Sequence, residues 1–308
     1  MGGNVFEGSA PILKENIKPT LREFFKDLKL VFPNCTEALK NITLVGSTGK
    51  AAESGDIDLA LDRKYVKDLN NWSISKDEVI STLHDLSDHY RGSLDKKYLM
   101  QKAILKTIAD KLDDESHSIK VDDRGLGNGS IFCQFPQYNE TGEKIGKKVQ
   151  IDLNVGNIDW ITWTYQSSAQ DRKAGLKGLH RTQLLHALFR AKGYVMNNGM
   201  GVREEGSKFY TVNTPDEAIA LLNELYGFNL TIDDTKSFSV LHDFLKENFS
   251  EDEYNDVIAK YLHILDNTKD CNIPNELSNT WLDRQEELDL TGKHLPANSV
   301  LYPFRTED

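Results

Sequence analysis

Three carboxylates and one glycine turn carry the chemistry legible in this chain. Gly46-Ser47 follows an apolar run that ends at Val45, and Asp56 and Asp58 come after the turn, two residues apart. Residues i and i+2 of a strand share a face, so a strand over 57–61 points both carboxylates the same way. Carboxylate oxygens are hard ligands, and magnesium (or manganese) sites take one or two of them together with substrate phosphates. Gly46 permits close backbone approach, and Ser47 offers a hydroxyl and an N–H to a phosphate, in a turn expected to keep its backbone N–H groups free. Lys50 either adds positive charge there or is a solvated loop residue.

Asp152 is the third carboxylate, between apolar Ile151 and Leu153. Alternation predicts a half-buried strand with Asp152 on the face opposite its neighbours. A lone carboxylate in that place is unfavourable unless a metal or an attacking hydroxyl offsets the penalty. Three such groups suit two-metal phosphoryl transfer, with Asp56 and Asp58 holding both ions and Asp152 ligating the ion beside the nucleophile.

These side chains need a framework, and hydrophobic periodicity outlines one. Residues 11–40 read as helical, with Ile17, Leu21, Phe24, Phe25, Leu28, Leu30 and Val31 near helical spacing and Pro33 as the stop. Strands are expected at 42–45 and 57–61, then two helices over 76–115 split near Gly92-Ser93. Strands follow at 118–121, 130–135 and 148–155, the last pair joined by a hairpin-like turn at 139–142. Beyond Thr182 the chain turns mainly helical: 184–192 capped by Gly193, a helix opened by Thr214-Pro215 and running to about Tyr226, then 237–248 and 251–266. The tail from Leu290 reads as irregular. The expected fold is α/β (α+β), a mixed β-sheet followed by a mainly helical C-terminal domain. Its expected parts are an N-terminal helical segment at 1–40, a catalytic domain at 41–165 with a helical insertion at 64–117, and a helical domain at 166–308.

The chain has 308 residues, 39% of them hydrophobic, which suits a globular protein with a real core. No apolar run approaches the roughly 18 residues that span a bilayer, so no membrane partner is expected. No signal peptide is visible, and Phe6 breaks the myristoylation pattern. The three cysteines, Cys35, Cys133 and Cys271, show no metal-ligand spacing and point to a reducing, cytoplasmic setting. The net charge of -11 argues against coating long nucleic acid. A local basic stretch, Arg172-Lys173, Lys177 and Arg181, is the place for phosphate or nucleic-acid contact. Trp160, Trp163 and Tyr165 are either core or a stacking platform, with Tyr165 ahead of Ser167 the best base-stacking candidate. His180 and His186 read as structural or solvent-facing, and Asp122 and Asp123 as turn residues. Asn154 and Asp159 carry no assigned role.

Gly46-Ser47, then Asp56-Ile57-Asp58, then Asp152 on a later strand resemble the motif order of the nucleotidyltransferase superfamily that includes DNA polymerase beta. The resemblance spans roughly residues 40–226. It continues through Trp160-Ile-Thr-Trp-Thr-Tyr-Gln-Ser-Ser168, similar to the segment where that family holds sugar and base, and through 178–194 and 211–222. It is patchy over 64–117, which the polymerase palm lacks, and no N-terminal helix-hairpin-helix or lyase domain is recognised. The resemblance implies a nucleotidyltransferase palm that moves a nucleoside monophosphate from a nucleoside triphosphate to a hydroxyl, releasing pyrophosphate with Mg2+ (or Mn2+) as cofactor. It implies nucleotide binding by Gly46, Ser47, Lys50, Tyr165, Ser167, Lys177 and Arg181, and metal binding by Asp56, Asp58 and Asp152. The expected acceptor is a nucleic-acid 3′ end, of tRNA or short RNA or DNA. The alternatives are nucleotidylation of a protein or small molecule, as in toxin-type or antibiotic-modifying enzymes, and a non-catalytic nucleotide-binding regulatory module.

Overall fold

The computed structural model describes residues 5–90, 96–268 and 272–282. Gly92-Ser93, Cys271 and the tail from Leu290 lie outside the described residues. The chain divides into two compact units, one of residues 2–166 with 197–217, the other of 167–196 with 218–308.

The first unit is built on a five-stranded mixed sheet. In chain order its elements are β1 (Ile12–Leu13), α1 (Lys14–Val31), α2 (Thr36–Lys40), β2 (Thr43–Leu44), β3 (Glu53–Ser54), β4 (Ile57–Asp62) and α3 (Arg63–Lys67). Then come α4 (Lys76–Tyr90), α5 (Lys96–Glu115), β5 (Lys120–Asp122), β6 (Ser130–Tyr138), β7 (Lys144–Gly156) and α6 (Ile158–Thr164). The strand order is β2-β4-β7-β6-β5, and β1 pairs with β3 in a separate ribbon. Only β4 and β7 run parallel within the large sheet. A parallel pair needs a long crossover, and residues 63–143 supply it.

Alternation sorts the sheet into two faces. Ile57, Leu59 and Leu61 of β4, Ile131, Cys133 and Phe135 of β6, and Val149, Ile151, Leu153 and Val155 of β7 all enter one hydrophobic core. Phe24 and Leu28 of α1 and Ala103, Leu105 and Ile108 of α5 close that core. Each large apolar side chain so buried contributes about 1.5–3 kcal/mol. The N-terminal helix and the second helix of the 64–117 stretch are therefore integral to the sheet's packing. The even residues of the same strands form the other face, which carries the carboxylates. Cys35 and Cys133 are buried and free, and burial pushes the Cys35 thiol up to about 11.

The second unit is helical. It contains α7 (Ala169–Lys173), α8 (Leu179–Ala191), α10 (Phe238–Asn248) and α11 (Glu251–Asp266). Between α8 and α10 in sequence runs α9 (Pro215–Tyr226). Leu184, Leu185, Leu188 and Phe189 of α8 are buried with Leu241 and Leu245 of α10 and Val257, Ile258 and Leu262 of α11. Helix α11 opens with a reciprocal Ser250–Glu253 capping box. Helix α10 opens at Ser237, whose hydroxyl accepts the Val240 N–H. No helix among the described residues is long and apolar enough to cross a membrane.

Candidate active site

Register explains how the carboxylates meet. In the parallel β4–β7 pair Asp58 sits directly beside Asp152, so both leave the sheet on the same face. Asp56 is not in the strand; it occupies the bend one residue before β4 and is buried. One carboxylate oxygen from each of Asp56, Asp58 and Asp152 lies within 4.8 Å of the others. Octahedral magnesium sets its oxygen ligands roughly 3–4 Å apart. The cluster holds oxygen donors alone, with no thiolate or imidazole, so its chemistry suits a hard divalent cation.

Electrostatics point the same way. Burial and the charges of Asp56 and Asp152 push Asp58 well above the usual carboxylate range, against a small opposing pull from Lys50. Burial and Asp56 push Asp152 up to about 7, while a hydrogen bond from Gln150 opposes them. Three acids share a buried space that disfavours three negative charges, and a divalent cation removes that repulsion.

The glycine turn lies against the cluster. Gly46 has φ +64°, and a Cβ there would come within 2.2 Å of Asp58 Oδ2. Any side chain at 46 would displace the carboxylate. The turn differs from the expectation that its N–H groups are free. Gly46 N–H donates to the Tyr165 carbonyl at 3.0 Å, Thr48 N–H to Val45, Gly49 N–H to the Ser54 hydroxyl and Lys50 N–H to the Ser47 carbonyl. A tight turn consumes its own donors to hold its shape. Ser47 keeps both its N–H and its hydroxyl uncommitted among the described residues. Lys50 is exposed, and its charge reaches Asp58.

Thr48 and Gln150 escaped the sequence reading, and Asn154, noted there without a role, gains one. Thr48 is buried, and its hydroxyl accepts the Asp58 N–H at 2.9 Å, which ties the turn to β4. Gln150 donates to Asp152 Oδ1 at 2.8 Å. Asn154 accepts from the Ser130 and Tyr165 hydroxyls and donates to the Leu59 carbonyl. Gln150, Asp152 and Asn154 form an i, i+2, i+4 polar stripe, the one signal in the sequence that would have marked them. The strand is also more enclosed than a half-buried reading allows, since all of 149–156 is buried. On its second face Gln150 accepts from the Val5 N–H and Asn154 accepts from the Tyr165 hydroxyl.

The aromatic segment forms helix α6, and of the two expected readings, core or stacking platform, the tryptophans take the first. Trp160 and Trp163 are core residues, and Trp160 Nε1 donates to the Asn197 carbonyl. Tyr165 caps α6, packs against the Val45–Ala60–Ile161 cluster and points its hydroxyl at Asn154. Burial and the nearby Asp58 push that phenol upward, so it stays protonated and donates.

Ser167, Lys177 and Arg181 belong to the helical unit. The Ser167 hydroxyl and carbonyl both accept from Arg172. Lys177 is exposed. Arg181 is fully buried; its Nε donates to the Thr235 carbonyl, and desolvation lowers it to about 9. The basic stretch is thus partly internal. His180 is buried between the Tyr261 hydroxyl and Asn272, a structural placement. His186 is half-buried and lines a cleft of about 310 Å³ with Arg190 and His263. Asp122 binds Arg124 at the end of β5, as a turn residue would.

No protein-family model and no curated protein matches this chain. Among solved structures, the chain is similar to polymerase beta of Leishmania infantum, in a structure described as a ternary P/T complex. Identity is 15% and the TM-score 0.33, over 80% of this chain and 77% of that one. The likeness is a distant one, at the level of fold.

Proposed function

We propose that the chain is a divalent-cation-dependent nucleotidyltransferase that moves a nucleoside monophosphate from a nucleoside triphosphate to an acceptor hydroxyl. The observation that carries this reading is the convergence of Asp56, Asp58 and Asp152 within 4.8 Å of one another, with the Gly46 turn against Asp58. Asp56 and Asp58 present oxygens for the cation, magnesium or manganese, on the side of the glycine turn. The Ser47 N–H and hydroxyl receive the terminal phosphates, with Lys50 adding charge from the exposed side. Held by these carboxylates, a magnesium ion would supply charge neutralisation for the triphosphate and a lower pKa for the acceptor hydroxyl. Asp152 stands beside the nucleophile. Gln150 occupies one of its oxygens, and the other accepts the proton that the hydroxyl gives up. The rate gain comes from positioning and charge neutralisation.

A nucleic-acid 3′ end is the first acceptor to test, with Lys173 and Lys177 the exposed cations of the basic stretch. The burial of Arg181 and the net charge of -11 favour a second reading, a protein or small-molecule acceptor. One experiment separates them. The protein is incubated with Mg2+ and each α-labelled nucleoside triphosphate, with tRNA, short single strands or no acceptor, beside Asp56→Ala. Label on nucleic acid supports the first acceptor and label on protein the second. Nucleotide binding without any incorporation defeats the enzyme reading.

A further inference from the structure

Gln150 lies two residues before Asp152 on β7 and is almost fully buried, at 2% exposure. Both ends of its amide are used. Nε2 donates to Asp152 Oδ1 at 2.8 Å, and Oε1 accepts the Val5 N–H at 2.9 Å. A carboxylate cannot donate and a backbone N–H cannot accept, so the partners fix the amide in one orientation. Val5 is itself held, since its carbonyl accepts from Arg124 at 3.0 Å. The segment it begins is clamped along its length. Gln134 donates to the Glu7 carbonyl and the Ser9 hydroxyl, and Gln137 to the Ala10 and Pro11 carbonyls. Ala10 N–H donates to the Lys148 carbonyl at 2.8 Å.

Burying a glutamine without partners costs several kcal/mol, so these side chains require the N-terminal backbone to satisfy them. Gln134 donates only to the N-terminal segment, and Gln137 to that segment and the Lys148 carbonyl of β7. Gln150 serves the clamp and the carboxylate together.

We propose that Gln150 is the positioning residue of the site: anchored by Val5, it holds Asp152 in the rotamer that meets Asp56 and Asp58. The proposal rests on the nucleotidyltransferase reading. Without the amide, Asp152 loses a charge-assisted hydrogen bond and gains rotamers that leave the cluster. Outer partners of metal-ligating carboxylates are typically worth about 10–100-fold in metal affinity or activity.

The test uses the full chain and two readouts, Mn2+ affinity from the paramagnetic resonance of free Mn2+ and steady-state kinetics. Gln150→Leu removes the amide at similar size. It is expected to weaken Mn2+ binding about tenfold or more and to lower kcat, with KM for the triphosphate within about twofold of the parent. Gln134→Leu cuts the clamp without touching Asp152 and is expected to bind Mn2+ as the parent does. Thermal melts establish that each variant is folded. If Gln150→Leu does not fold, Gln150→Met and Gln150→Asn carry the same expectation. A folded Gln150 variant with parental Mn2+ affinity and kcat overturns the proposal. So does a Gln134→Leu variant that loses affinity equally, because the effect then belongs to the clamp. If the parent itself binds no Mn2+, the nucleotidyltransferase reading fails, and the positioning role fails with it.

Discussion

Asp58 is constrained from three sides. It is squeezed between Asp56 and Asp152, its backbone N–H is held by Thr48, and Gly46 sits against its carboxylate. Such a residue stabilises a cation at the expense of the empty fold. Asp58→Asn relieves the repulsion. It is expected to raise the stability of the metal-free protein by about 1–3 kcal/mol while cutting nucleotidyl transfer by at least about 100-fold. Urea unfolding in chelator and a transfer assay check the two halves. Gly46→Ala tests the opposite wall. Its φ of +64° strains any other residue, and the new methyl would strike Asp58 Oδ2. We expect a loss of about 1–3 kcal/mol and of Mn2+ binding, measured by thermal melt and titration. A Gly46→Ala protein that binds Mn2+ normally contradicts the close approach.

At the scale of elements, the site depends on parity. Shifting β7 by one residue against β4 would send Asp152 into the apolar core and Ile151 to the carboxylates. The strands and helices were largely legible because their apolar residues alternate or recur cleanly, as in Ile57-Asp58-Leu59 and in α11, expected at 251–266 and found as Glu251–Asp266. The three carboxylates were legible too, from residue type and order. Their supports were not. Gln150 and Asn154 matter because a second layer covers their face, and alternation within one strand says nothing about what lies above it. Arg181 read as a phosphate contact because a sequence shows charge but not burial. Inside the helical unit, buried Asp171 accepts from the Phe238 and Ser239 N–H groups at the start of α10. Asp171→Ala would leave the Phe238 and Ser239 N–H groups and the Ser239 hydroxyl without this acceptor, so a loss of about 1–3 kcal/mol is expected by urea unfolding. A loss under about 0.5 kcal/mol would mean that the network is not structural.

The whole molecule feels the cluster through pH. The carboxyls of Asp58 and Asp152 bind protons more tightly in the folded state than the ordinary value near 3.8. Between that value and about 7 the folded state carries more protons than the unfolded one, so their contribution to stability falls as pH rises. Buried His180 and His242 have the opposite sign, because desolvation lowers them and folding favours their neutral form. The metal-dependent part isolates the cluster. Saturating Mg2+ is expected to raise Tm more at about pH 8 than at about pH 5, where protons compete for the same oxygens. Asp152→Asn should shrink that difference, and an equal Mg2+ effect at both pH values would place the bound ion elsewhere.

In the proposed function, Asp56, Asp58 and Asp152 hold a cation against a triphosphate bound at Ser47. Crystals grown with Mn2+ and a non-hydrolysable nucleoside triphosphate analogue test it most directly, through anomalous scattering from manganese. The account predicts manganese among the three carboxylates, sharing phosphate oxygens with a nucleotide whose terminal phosphates contact the Ser47 N–H and hydroxyl. An ordered nucleotide bound elsewhere, with no manganese between these carboxylates, would contradict it.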